Sequence, residues 1–255
     1  MSRLRARAVA GRRRRVLRVL AGGLLAGPLA LPLALATGGA APALAAAAPA
    51  QAAGQPVVAA ANTALDRFLT NLATLRVEFT QSLTDARGRQ VDALAGTLVV
   101  VRPGRFRWEV RPAGRAGADA AEATQLMVAD GRNVWFYDRD LEQVTVKPAG
   151  NALTATPALL LSGSVELRSA FELRETAPRE GLAWVQVRPK RGDAEFREAR
   201  LGFEAGELRR MEIDDKLGQK AVLLFGKAQR NAAVDAAETR FTPPAGVDVI
   251  GKPAG

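Results

Sequence analysis

The chain has 255 residues, 36 basic and 26 acidic side chains, a formal charge of +10, and neither histidine nor cysteine. Without those two residues it cannot carry Ser-His-Asp or Cys-His catalysis, His- or Cys-held metals, disulfides or a cysteine-linked lipid anchor. The charge suggests a polyanion partner until its distribution is read: eight arginines lie in the first 18 residues, and no acid precedes Asp66.

That basic start is followed by an Ala/Leu-rich stretch from Val16 to Leu35, then by the small-residue run ALAAAAPAQAAG from Ala43 to Gly54. A basic head, a short apolar region and A-x-A sites mark a secretory signal peptide. Cleavage is expected near 45–53, with both Sec and twin-arginine routes open. Gly22, Gly23, Gly27, Pro28 and Pro32 interrupt the apolar stretch and argue against a membrane span. Residues 1–50 are thus read as signal and spacer, and 51–255 as a single exported domain. Removing the signal leaves 28 basic against 26 acidic residues. The basicity belongs to targeting, and no nucleic-acid partner is expected.

The domain opens with Thr63-Ala64-Leu65-Asp66, which fits a capping box. Leu65, Phe68, Leu69, Leu72 and Leu75 follow at helical spacing, predicting one long amphipathic helix. Beyond it, period-two alternation predicts strands near 76–83, 90–101, 105–111, 124–129, 133–137, 142–147, 170–176, 182–188, 196–203, 207–213 and 219–228. The clearest is RFRWEV, with Phe106, Trp108 and Val110 on one face and Arg105, Arg107 and Glu109 on the other. Turn signals such as Asp130-Gly131 and Ala205-Gly206 separate the strands into sequential hairpins. Two segments break the meander. One is the small-residue loop 112–123; the other is TPALLLSG, where Thr156-Pro157 can start a short helix that Gly163 ends. The expected fold is mainly β: an unclosed antiparallel half-barrel of about eleven strands, its apolar face covered by short helices.

Chemistry-bearing candidates are few. Asp138/Asp140 and Asp214/Asp215 sit in predicted turns, where local hydrogen bonding explains them. The arginines at 105, 107, 111 and 115 read as a solvated strand face and loop. Arg102 differs, because it follows Val99-Val100-Val101 and precedes Pro103; facing inward, it could tie backbone carbonyls of the covering helices. Alternation through a Pro-Gly turn leaves its direction open. Phe79, Leu98, Val100, Phe106, Trp108, Met127, Trp135 and Tyr137 supply apolar strand faces, with Leu159, Leu160 and Leu161 as a lid-like piece. Composition alone does not say whether these fill a core or line a space.

In order along the chain stand Phe79-Thr80-Gln81, Gly96, Arg102-Pro103 with Phe106 and Trp108, Asp130-Gly131 with Trp135-Phe136-Tyr137, Glu142-Gln143, Thr156-Pro157 with its leucines, Pro189-Lys190, Asp215 to Gln219, and Phe241-Thr242-Pro243-Pro244 before Gly246-Val247. This ordered set, spanning about 62–250, resembles the LolA family of periplasmic lipoprotein carriers. The segment 112–123 departs from it by its length. The resemblance implies an eleven-stranded unclosed barrel with a helical lid over a hydrophobic cavity. It implies that Arg102 latches the lid by hydrogen bonds to its backbone and that Phe106 is a cavity aromatic needed for loading and release. With it, Leu65, Leu69, Phe79, Leu98, Val100, Phe106, Trp108, Met127, Trp135, Tyr137, Leu159 and Leu160 become the expected lipid contacts. The implied partners are acylated lipoproteins, an inner-membrane ABC release complex and the outer-membrane receptor LolB. A monomer without enzymatic activity, metal or cofactor is expected. The alternatives are a half-barrel protein carrying another lipid and a periplasmic sensor; LolB itself would need a lipidated cysteine.

Overall fold

The computed structural model describes residues 62–114, 123–152, 158–163, 167–192, 194 and 196–254. The expected export signal, most of the 112–123 loop, Thr156-Pro157 and the side chain of Leu159 lie outside the described residues. No helix among the described residues is long and apolar enough to cross a membrane.

In chain order the elements are α1 (Ala64–Leu69), β1 (Thr74–Thr84), β2 (Gln90–Val101), β3 (Arg105–Pro112), β4 (Gln125–Asp130), β5 (Asn133–Asp138) and β6 (Gln143–Pro148). Three short helices follow, α2 (Ala149–Ala152), α3 (Ala158–Ser162) and α4 (Leu167–Ala170). Then come β7 (Phe171–Arg179), β8 (Leu182–Pro189), β9 (Phe196–Glu204), β10 (Glu207–Asp215), β11 (Lys220–Phe225), the two-residue β12 (Gln229–Arg230), a 3₁₀ turn (Ala236–Thr239) and β13 (Asp248–Ile250). One mixed sheet holds all thirteen strands in the order β13-β6-β5-β4-β3-β2-β1-β11-β10-β9-β8-β7, with β12 alongside β1. The first eleven strands are those the alternation predicts. The two additional ones are β12 and β13, and β13 runs parallel to β6. Pairing of β1 with β11 joins two meanders, and the sheet stays unclosed between its edges β7 and β13.

The predicted helix is shorter than its apolar stripe suggests. The capping box forms, with Thr63 N–H donating to Asp66 Oδ2 at 2.8 Å, but α1 ends at Leu69. Asn71 takes φ 56°, and Asn231 ties the departing chain: its Oδ1 accepts from Ala73 N at 2.8 Å and its Nδ2 donates to Asn71 O at 2.9 Å. Leu72 and Leu75 are still buried, now from a turn and a strand. A six-residue helix is unstable alone. Burial of Leu65, Phe68 and Leu69, at about 2 kcal/mol apiece, holds it on the sheet.

Alternation divides the strands between two faces. One face forms a continuous apolar cluster from β1 through β11 and receives α1 and α3. The opposite face differs between the two halves of the sheet. On β4–β6, Leu126, Val128, Trp135, Val144 and Val146 make a smaller cluster, covered by Phe241 and Val247 from the chain's end. On β8–β11 the opposite face is ionic. Glu212, 1% exposed, lies 2.9 Å from Arg179 Nη2, 3.0 Å from Arg200 Nη1, 2.9 Å from Arg210 Nη2 and 3.4 Å from Lys220 Nζ. Arg179 also stacks over Trp184, 4.0 Å from the ring centroid.

Burial opposes ionisation of Glu212, but the hydrogen bond from Arg179 and the charges of Lys220, Arg179 and Arg210 outweigh it and hold its carboxyl below the ordinary range. Burial likewise opposes ionisation of Glu198, and hydrogen bonds from Arg200, Gln186 and Arg188 overcome it, lowering the pKa to about 2. A depressed carboxylate pKa stabilises the fold above the unfolded-state value and ceases to do so as pH falls through the folded one. The denaturant midpoint should therefore fall as pH drops from 4.5 towards about 2, and Glu198→Gln should flatten that slope. Glu212→Gln removes the buried charge on which four cations converge, leaving Arg200 paired with Glu198 and Asp214 and Arg210 with Glu180; it should cost about 3 kcal/mol at neutral pH, read from equilibrium unfolding.

Candidate functional site: the corner that holds the covering helices

The β2–β3 corner, Arg102-Pro103-Gly104, lies at the end of the apolar strands and meets the ends of both helices. The Arg102 N–H donates to Ala73 O at 2.8 Å. The side chain turns to the helices: Nη1 donates to Leu69 O at 2.7 Å and, more weakly, to Leu72 O at 3.4 Å. Leu69 closes α1, so its carbonyl has no partner within the helix and stands at the negative end of the local dipole. A cation there satisfies both. Two residues on, Gly104 N–H donates to Ser162 O at 2.9 Å, at the end of α3. Gly163, at φ +67°, completes the contact, because a Cβ on it would fall onto the Arg102 guanidinium. Glycine serves here for backbone conformation and for space.

Three further side chains secure α1, and the sequence alone did not single them out. Arg230 Nη2 donates to Phe68 O at 2.8 Å, and its guanidinium sits 4.7 Å from the Phe68 ring centroid. Glu175 Oε1 on β7 accepts from Ala64 N–H at 2.8 Å and Arg67 Nη2 at 3.2 Å. Arg168 of α4 pairs with Asp66 at 2.6 Å. These contacts join residues more than a hundred positions apart, beyond the reach of local pattern. The Glu175–Arg67 pair is about half exposed on both sides and contributes little; the bonds to backbone carbonyls are the stronger restraint.

Between the helices and the sheet, Leu65 and Leu69 of α1 and Leu160 of α3 meet Phe79, Leu98, Val100, Phe106, Trp108 and Met127 in one contiguous cluster, joined by Phe68 and Leu161. Phe106 is fully buried between Val100 and Ala129 in register. Phe79 packs on Trp108 at 4.6 Å, and Gly96 makes this possible, since a Cβ there would lie 2.5 Å from Phe79 Cζ. The structure does not bring Trp135 and Tyr137 to this group. They project from the opposite face of β5 and pack on Phe241 at 5.7 and 5.9 Å. The period of two then gives Val134 and Phe136 to the main cluster. The sequence reading assigned β5 to the wrong parity because WFY is aromatic on both sides. Among the described residues, no group of three or more acidic side chains is placed to hold a metal.

The family model for the outer membrane lipoprotein carrier protein LolA matches residues 70–242, a stretch that contains the corner and β2 through β11. This chain belongs to the LolA family. The outer-membrane lipoprotein carrier protein of Dechloromonas aromatica is 43% identical over 188 residues, 74% of this chain and 86% of that protein. Its counterpart in Chromobacterium violaceum is 37% identical over 223 residues, 88% and 96% of the two chains. That of Methylobacillus flagellatus is 36% identical over 189 residues, 74% and 88%. Within this LolA chain, α1 lies before the matched stretch and β13 after it.

The packing of Gly163 against Arg102 can be tested directly. Gly163→Ala should displace the guanidinium and raise amide hydrogen exchange at Thr70–Leu72 and Gly104 to the level of Arg102→Leu. The strands β9 and β10 should keep their protection in both variants.

Proposed function

We propose that this protein is a periplasmic carrier that takes the acyl chains of lipoproteins leaving the inner membrane and delivers them to an acceptor at the outer membrane. The observation that carries the reading is the Arg102 corner: an arginine and a backbone amide hold the ends of two short helices over a predominantly apolar face. A helix held mainly by two carbonyl bonds and three apolar side chains can be lifted and replaced. The relatives, named outer-membrane lipoprotein carrier proteins, supply the cargo class.

The energetics call for such a device. Three acyl chains expose some 45 methylenes, about 35 kcal/mol at ~0.8 kcal/mol each, so unassisted crossing of an aqueous compartment is negligible. In this reading α1 and α3 are the lid. Acyl chains take the place of the leucines of α1 and α3 against Phe106, Phe79, Leu98, Val100 and Met127. Charge-assisted bonds of the Arg102 kind are worth about 1.5–3 kcal/mol each. The closed state so favoured opposes loading and assists release. The proposed chain of partners is an ABC-type release complex at the inner membrane and LolB at the outer membrane. The protein acts by binding, as an exported single-domain monomer whose signal is removed near 45–53.

Arg102→Leu should fold normally yet accumulate in its loaded form, with delivery to acceptor membranes reduced at least tenfold; Arg102→Lys should fall between. Native mass spectrometry of protein isolated from periplasm reads the loaded fraction. A bare wild-type protein that takes up no lipoprotein or lipid would end this reading, and normal release by Arg102→Leu would end the latch role.

A further inference from the structure

The apolar face beneath α1 and α3 contains two polar atoms with nothing to bond. Trp108 is 6% exposed, and its Nε1 is buried without a hydrogen-bond partner among the described residues; Gln81, 5% exposed, is in the same condition at Oε1. Register places Trp108 between Leu98 and Met127, two positions along β3 from Phe106. Gln81 lies on β1 between the buried Phe79 and Leu83, on the same face.

The chain has three tryptophans, and the other two show what a buried indole ordinarily does. Trp135 Nε1 donates to Asp130 Oδ2 at 2.8 Å, and Trp184 Nε1 donates to Arg179 O at 3.0 Å. Trp108 Nε1 has no such acceptor. A buried N–H without a partner is costly, and phenylalanine at this position would avoid the cost while keeping the contact with Phe79. The indole is therefore suited to a partner that comes with a ligand. A pure hydrocarbon offers it nothing; an acyl chain offers one acceptor, the carbonyl at its head.

We propose that Trp108 Nε1–H donates to the carbonyl of an acyl chain seated beneath the helices, so that cargo is recognised by its carbonyl as well as by its hydrocarbon. The inference rests on the carrier reading above and adds a specificity-determining residue to it. It also fixes a position: the head of the bound chain lies one residue pair along β3 from Phe106, beside Leu98 and Met127.

The test titrates the full-length mature protein with a short-chain diacyl lipid and with its dialkyl ether analogue of equal chain length, which lacks carbonyls. Wild type should bind the ester about three- to tenfold more tightly, the equivalent of one neutral hydrogen bond. The Trp108 indole N–H resonance should move on adding the ester and not the ether. Trp108→Phe should bind both lipids with the weaker constant. Equal binding of the two by wild type, or discrimination retained in Trp108→Phe, overturns the inference and leaves the carrier reading standing. Binding of neither lipid overturns both. If Trp108→Phe does not fold, the wild-type affinity ratio and the indole resonance decide alone.

Discussion

A sheet with one continuous apolar face must be covered, and the helices that cover this one cannot sustain themselves. That constraint governs the arrangement around the corner. Six-residue α1 and five-residue α3 gain their order from side chains pressed on the sheet and from donors that meet their terminal carbonyls. Arg102 and Gly104 supply those donors from a single turn, so the two helices share one fastening although some ninety residues separate them in sequence. The cover is held by few bonds, and most of those meet backbone carbonyls at the helix ends.

The two halves of the sheet are stabilised by different means on the face that the helices do not reach. Near β4–β6 the chain's end supplies Phe241 and Val247 as an apolar backing. Near β8–β11 four cations converge on Glu212, an ion group with a single buried carboxylate at its centre. Neither device involves α1 or α3. The contacts that stabilise this face of the sheet are thus separate from those that hold the helices on the other.

Much of this was legible in the residues because strands announce themselves by alternation: β1 to β11 fall where the period of two places them. The capping box at Thr63 and the glycine stop at 163 were equally local signals. What escaped was non-local or ambiguous. Asn231 ends α1 from more than 150 residues away, so a leucine stripe that reads as one long helix divides into a short helix, a turn and a strand. Trp135-Phe136-Tyr137 is aromatic at three successive positions, so its sequence does not reveal which faces are buried, and the choice of Trp135 and Tyr137 proved to be the reverse of the packing. Arg230 and Glu175 gave no signal at all. Arg102 is the opposite case: the residue and its chemistry stand in the sequence, and the fold alone sets the direction of its side chain, towards Leu69 O.

The open sheet has one further consequence, at its rims. An unclosed sheet exposes rows of amides and carbonyls that could recruit a strand from a neighbouring molecule and begin a fibre. At one end the rim is only three residues long, Asp248–Ile250. At the other, β7 presents Glu172, Arg174, Glu175, Pro178 and Arg179, alternating charge with a residue unable to donate. Both borders of the sheet thus offer a neighbouring strand little to pair with, one by its shortness and the other by its charges and its proline.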